Sequence, residues 1–543
     1  MESLQEIPAS AHAAAQTLDA RESSFERNRE ACVERHWLER SPFRLAGSRE
    51  GLSELSALLS TAIDAALAAR RLAGPLPAGA PADVLAAAAE ALGARQVPRE
   101  GMGAEAALRR LAQVLVEHGL DLANPRAAAH LQPPPLSVAV IADTLASVSN
   151  ASLDTYDSGP SAIAIERWLI GALARLANLG AAADGVLTPG GSMSNLLALL
   201  LARDAAARRQ GVDARREGIG ALRGPLVLCS ELAHFSVHRA CAALGLGELC
   251  VRALPADARR RLRPRALREL LRQLGPEQTP VAVVATAGTT DFGSIDPLGE
   301  IAAITREHGV WLHVDAAYGF GALFSERLRE RLAGIEYADS ITLDLHKLGW
   351  QPAAASVLLL ADPRKFAALE REVAYLNPSD DSEQGLDGLL GRSLQTTRRP
   401  DALKVVATLL AYGQRGMGAL VDACHDLARY AERRITRERE LELVAPAELT
   451  TVVFRYRCRA GVPEPAELED RVNGALRRRL LERGVALIGR TSVSLAGAEA
   501  PARVCLKLTL LNPTARPGDI DDLVRAVLRA GRECERQLEE RAA

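Results

Sequence analysis

An α/β architecture, with a mostly parallel sheet flanked by helices, is what this 543-residue chain predicts, on two observations. Short, near-continuous apolar runs recur from about Gly185 onward, and helical segments lie between many of them. Runs that are apolar at every position suit strands covered on both faces, and strands alternating with helices suit parallel pairing through helical crossovers. Ligands are then expected beyond the carboxyl ends of the strands.

Residues 1–125 read as a helical N-terminal segment. They are rich in Ala, Arg, Leu and Glu, with helical spacing at Leu52, Leu55, Leu58 and Leu59 and again over Ala107–Leu115. A Pro/Gly/Ala stretch from Gly74 to Pro81 marks a linker or turn, and the first forty or so residues are expected to be poorly ordered. Residues 126–415 carry the strands Pro225–Cys229, Val281–Thr286, Val310–Val314, Ser340–Asp344 and Ser356–Leu360, with helices such as Asn195–Arg209 and Leu298–His308 between them. Residues 416–543 read as a smaller α+β unit: helix, strand (Thr451–Arg457), helix (Pro465–Gly484), strand (Val504–Leu510) and a final helix.

The formal net charge is −2, and no basic block interleaved with aromatics is present, so neither nucleic acid nor an anionic membrane is the expected partner. A small molecule is. The first thirty residues lack a continuous apolar core, which argues against a secretory signal or a spanning segment and sets a cytoplasmic expectation. The eight cysteines show no Cys-x-x-Cys pair or metal-ligand spacing, so no metal is expected and they read as small buried hydrophobes. Only Lys347, Lys365, Lys404 and Lys507 are lysine among many arginines, and each is a candidate for amine chemistry that arginine cannot perform.

Three segments carry chemistry. In Thr188–Asn195, two glycines and Ser192 stand directly before an apolar helix, where exposed N–H groups suit a phosphate; a plain helix-capping turn has the same look. It is neither a Walker loop nor a dinucleotide fingerprint. In Val310–Gly319 an apolar strand ends in Asp315, placed to hold a cationic ring nitrogen, with alanines that let a flat ring lie against the backbone; a helix cap is the alternative. In Ala338–Gly349 a lysine, Lys347, follows an apolar strand, where partial desolvation readies an amine for Schiff-base formation; a snorkelling surface lysine is the alternative. A phosphate cradle, a strand-end acid and a strand-end lysine in that order suit pyridoxal 5'-phosphate.

With these residues in view, Asp315-Ala-Ala-Tyr318 and His346-Lys347, preceded by Ser230–Val237 and Thr286–Gly293, resemble the group II pyridoxal-dependent decarboxylases over roughly residues 120–515. The resemblance implies a fold-type I pyridoxal-phosphate enzyme that removes the α-carboxylate of an L-amino acid as CO2. It implies that Lys347 forms the Schiff base, that Asp315 keeps the pyridine nitrogen protonated, and that His234 stacks on the ring. Gly191, Ser192 and His346 resemble phosphate-side contacts, Thr290 a threonine near the ring substituents, and Ala317 the small residue beneath the ring. Asp344 departs from relatives with asparagine on the phosphate side, and an acid there repels phosphate unless protonated or turned away. Tyr375, opening a polar stretch that resembles the family's mobile loop, is implied to protonate Cα. Arg398 matches a family arginine and is implied to contact the substrate, although Pro400 stands where an aromatic is usual. The resemblance also implies a homodimer with the active site at its two-fold interface.

For the substrate, Asn150–Asp157 matches a pocket-lining stretch, and Asp154 there is suited to a distal ammonium. A helix cap or a dimer contact is the plain alternative. Lys507 sits where glutamate decarboxylases have an arginine that meets the substrate carboxylate. The strings Tyr375–Pro378 and Ser393–Arg399 look most like diaminobutyrate decarboxylases and the lysine decarboxylases of hydroxamate-siderophore pathways. A diamino acid (2,4-diaminobutyrate, ornithine or lysine) is therefore expected. An acidic or aromatic substrate, transamination, oxidative decarboxylation and a silent scaffold homologue are the alternatives.

Overall fold

The computed structural model describes residues 44–542 apart from 71, 374, 460–464 and 496–499; the expectation for the first forty residues, and Cys32, lie outside these. The chain divides into two units, Met1–Ala68 with Glu100–Arg109, and Ala69–Arg99 with Arg110–Ala543. In the first unit the four spaced leucines share the helix Arg49–Ala68, the one helix among the described residues long and apolar enough to cross a membrane by composition.

The second unit holds both sheets. Its strands in chain order are β1 (Ala127–Ala128), β2 (Asp184–Thr188), β3 (Pro225–Ser230), β4 (Val251–Leu254), β5 (Thr279–Thr286), β6 (Trp311–Asp315), β7 (Ser340–Asp344), β8 (Ser356–Leu360), β9 (Leu441–Leu443), β10 (Thr451–Tyr456), β11 (Leu487–Ser494) and β12 (Ala502–Thr509). The larger sheet runs β2-β8-β7-β6-β5-β3-β4. Pairing is parallel from β4 through β7 and antiparallel where β8 meets β7 and β2.

The apolar runs follow from two-sided burial. Along β5, Val281, Ala282 and Val284 enter one core and Val283 and Ala285 the other; along β8, Leu358 and Leu360 oppose Val357 and Leu359. Successive strand side chains point to opposite faces, so a strand with cores on both sides is apolar throughout. Helix Gly191–Arg209 covers one face, sending Leu197, Leu199 and Leu201 into the core there.

The smaller sheet, β1-β11-β12-β10-β9, packs on helix Pro465–Glu482, and helix Pro517–Ala542 packs on that helix and shares its core. Three of its strands were not anticipated. β11 is half exposed at Arg490–Ser492 and shows no apolar run, while β1 and β9 are too short to give a period. Residue 416 falls inside the helix Ala402–Thr436, which kinks at Gly413 (φ 62°). Val405, Met417 and Val421 of that helix belong to the larger core and Leu427, Ala431 and Ile435 to the smaller one, so the helix is shared. β1 likewise pairs with β11 although it precedes the larger sheet.

Candidate active site

The carboxyl ends of β5, β6 and β7, the turn after β3 and the start of helix Gly191–Arg209 surround a cavity of about 450 Å³. Parallel order brings these ends to one edge, where the strands stop and loops diverge. Eight residues singled out in the sequence line it: Gly191 and Ser192 at the helix N-terminus, His234 after β3, Thr290 after β5, Asp315 and Ala317 at β6, and His346 and Lys347 after β7.

Asp315 is 5% exposed, and its carboxylate is oriented from two sides. One oxygen accepts from the Ala317 amide at 3.1 Å and the other from Asn195 Nδ2 at 2.8 Å. The Asn195 amide also donates to Ser236 Oγ at 2.9 Å, and its carbonyl lies 3.0 Å from His313 Nε2. Burial drives the His313 imidazole down to about 4, so it is neutral, and Ser340 Oγ lies 2.9 Å from its Nδ1. Neutral His313 thus donates from Nε2 to the Asn195 carbonyl and turns the amide N–H toward Asp315. His234 is half-buried, with Nδ1 2.8 Å from Ser236 Oγ; burial lowers its basicity, against the pull of Asp315. Lys347 Nζ lies 2.8 Å from Asp344 Oδ2.

Two observations show what the cavity accepts. The Thr286 hydroxyl, which lines it, is buried with no hydrogen-bond partner among the described residues. Gly190 caps and Gly191 opens a helix whose start also lines the cavity, and the first N–H groups of a helix, which have no partner within it, make a ready anion site. A flat cationic ring against Asp315, an anion at the helix start and an aldehyde within reach of an amine together fit pyridoxal phosphate.

The family model described as "Pyridoxal-dependent decarboxylase conserved domain" matches residues 99–457. The chain belongs to the pyridoxal-dependent decarboxylase family. It is similar to the L-2,4-diaminobutyrate decarboxylase of Rhizobium meliloti (strain 1021), 43% identical over 82% of this chain and 84% of that one. The protein of the same name from Acinetobacter baumannii is 36% identical over 80% and 85%. Among solved structures, the glutamate decarboxylase domain of diaminobutyrate-pyruvate transaminase and L-2,4-diaminobutyrate decarboxylase from Vibrio parahaemolyticus superposes with a TM-score of 0.78 at 29% identity, covering 90% of this chain and 97% of that one. The protein is a pyridoxal-phosphate-dependent carboxy-lyase acting on an amino acid.

Four expected site residues of this decarboxylase lie elsewhere in the single chain. Tyr375 is 83% exposed and lines a separate cavity with Arg203, Arg371 and Gln395, because its segment is a surface loop that no strand ties to the sheet edge. Arg398 is buried against Glu166, Nη1 to Oε1 2.7 Å, which makes it part of a structural ion pair and not a cavity wall. Asp154 lines a third cavity beside Arg167, Arg371 and Arg392, with the Gly388 backbone lying close against its carbonyl. Lys507 pairs with Asp291 at 2.8 Å and reaches the Thr290 carbonyl at 3.3 Å, one residue behind the cavity wall.

Sequence reasoning also missed residues that the cavity uses. Asn195 was legible as the last residue of the Gly-Gly-Ser segment, but its bond to Asp315 spans 120 positions. Thr286 carried a signal too, as the first residue of the Thr286–Gly293 string. Asp344 does line the cavity and is not turned away.

Proposed function

We propose that this enzyme decarboxylates a diamino acid (2,4-diaminobutyrate, ornithine or lysine) to the corresponding diamine, working in the cytoplasm as a homodimer. The observation that carries the reaction class is that Lys347 lines the same cavity as the doubly held carboxylate of Asp315. Bound pyridoxal phosphate supplies an electron sink for the pair left when CO2 departs. In this reading Lys347 supplies the amine that holds the cofactor, Asp315 keeps a proton on the pyridine nitrogen, and the start of helix Gly191–Arg209 binds the phosphate. His234 covers the ring face as a neutral imidazole. The likeness to two relatives named L-2,4-diaminobutyrate decarboxylase supports a diamino acid. A panel assay of the three diamino acids against glutamate, aspartate, tyrosine and tryptophan tests the reading. A diamino acid should have the highest kcat/KM; preference for an acidic or aromatic substrate overturns it.

Two features bear on assembly and on the loop. Val140, Ile141 and Leu145 leave an apolar face of helix Ser137–Ser149 between 42% and 56% exposed, the kind of surface a second copy covers. Light scattering should give twice the chain mass; a fully active monomer contradicts the dimer. Tyr375 acts, in our reading, after loop closure, delivering its hydroxyl proton to Cα in the place that CO2 leaves. Tyr375→Phe should retain cofactor and substrate binding but divert turnover toward oxidative products. An unchanged amine yield removes this role.

A further inference from the structure

Asn195, 1% exposed, spends its whole side-chain amide inside the protein. Its two N–H groups go to Asp315 Oδ2 at 2.8 Å and Ser236 Oγ at 2.9 Å, and its carbonyl oxygen meets His313 Nε2 at 3.0 Å. Trp311, His313 and Asp315 alternate along β6, so their side chains share the face of the sheet that helix Gly191–Arg209 covers, and that helix puts Asn195 against them. Ser340, the register partner of His313 on β7, completes the row.

The direction of every hydrogen bond in this row follows from its first member. The Trp311 indole N–H can only donate, and it donates to Ser340 Oγ at 2.8 Å. The Ser340 hydroxyl then gives its one hydrogen to His313 Nδ1 at 2.9 Å. Burial keeps His313 neutral, so its single proton stands on Nε2 and is donated to the Asn195 carbonyl, with the Thr342 hydroxyl a longer second neighbour at 3.4 Å. An amide whose oxygen is taken in this way turns both its N–H groups to the other side, toward Asp315 and Ser236. The far end agrees. Ser236 Oγ, accepting from Asn195, has its own hydrogen left for His234 Nδ1 at 2.8 Å, and the Ser236 backbone N–H, which can only donate, reaches the same nitrogen at 3.3 Å. The neutral His234 imidazole therefore carries its proton on Nε2.

None of Trp311, Ser340 and His313 lines the cavity, yet the row ends on a carboxylate that does. Without Asn195, that carboxylate keeps one hydrogen bond among the described residues, from the Ala317 amide, and is free to turn about its bond to Cβ. Resting on the reading that Asp315 meets the cofactor's ring nitrogen, we propose that Asn195 is the positioning residue for that contact, and that the one-way row from Trp311 through Ser340 and His313 sets its direction. The amide fixes which way the carboxylate faces before the cofactor arrives, so the bond to the ring N–H forms without reorganisation. His313 acts on the cofactor through two other side chains.

Equilibrium titration of the apoenzyme with pyridoxal phosphate and with its carbocyclic analogue, in which a C–H replaces the ring nitrogen, tests this without measuring turnover. Both ligands carry the same aldehyde and phosphate, so the ratio of their Kd values isolates the ring nitrogen. The wild-type protein should favour pyridoxal phosphate. Asn195→Leu, nearly the same shape without the amide, should shrink that preference at least about tenfold, chiefly by weakening pyridoxal phosphate. His313→Leu should shrink it in the same direction, whereas His313→Gln, whose amide can donate where the Nε2–H did, should keep most of it. A preference unchanged in either Asn195→Leu or His313→Leu overturns the proposal, as does a His313→Gln no better than His313→Leu. So does an equal loss of affinity for both ligands, which is what damage to the fold alone would give. If Asn195→Leu does not fold, the two His313 variants decide by the same ratio. Equal binding of the two ligands by the wild-type protein would instead remove the reading of Asp315, and failure to bind pyridoxal phosphate at all would remove the cofactor reading itself.

Discussion

Lys347→Ala is expected to abolish turnover and to remove the borohydride-reducible link to the cofactor, while leaving a folded protein. The amine contributes chemistry that no nearby side chain replaces. Of the other lysines, Lys365 lies 5.8 Å from the centre of the Trp311 ring, Lys404 is buried between Asp143 and Asp401 at 3.3 and 3.1 Å, and Lys507 is paired with Asp291. None of them lines the cavity. The fold survives because Lys347 is partly exposed and Asp344 keeps the Ser356 hydroxyl as a partner. Borohydride reduction followed by peptide mapping decides the matter: label on Lys365, Lys404 or Lys507 refutes the assignment, as does residual turnover in the variant.

The second large effect is on stability. Arg398 and Glu166 are 5% and 1% exposed, and each guanidinium–carboxylate contact, 2.7 and 3.0 Å, is made away from water. Burial pushes the Glu166 carboxyl up, against the pull of Arg398, and the Leu187 amide adds a further hydrogen bond at 3.3 Å. Arg398→Met leaves that carboxyl buried without its cation, at a cost of about 3–5 kcal/mol. Thermal unfolding at fixed cofactor concentration should show a large fall in Tm, and Glu166→Gln combined with Arg398→Met should recover most of it. The family resemblance suggested a substrate contact for Arg398. An unchanged Tm together with a raised KM would restore that role and remove the structural one.

Much of the fold was legible because two-sided burial writes itself into every position of a strand. Ser340–Asp344 and Ser356–Leu360 coincide with strands of the sheet, and Leu298–His308 with a helix, since each is a short element with an unbroken pattern and clear ends. The edge of the smaller sheet was not legible. β11 alternates imperfectly, and β1 finds its partner 360 residues further along the chain. Pairing over such a distance leaves no local trace.

The site divides in the same way. Residues that end a strand or open a helix announced themselves, so Lys347, Asp315, His346, Gly191 and Ser192 could be placed on one sheet edge from the amino-acid string alone, and they meet in one cavity. Residues on loops did not. Tyr375, Asp154 and Arg398 are set by packing that the string does not encode locally, and the single chain holds them at other cavities or in a buried ion pair. What the sequence by itself determined is the order of strands, helices and reactive groups, because burial period and strand ends are local properties. What only the tertiary structure decided is which polar groups face one another: Asn195 and His313 behind Asp315, and Asp344 between Lys347 and Gly191. Hydrogen bonds and charge contacts act over a few ångströms in space, and the chain brings such partners together from positions up to 150 or more residues apart.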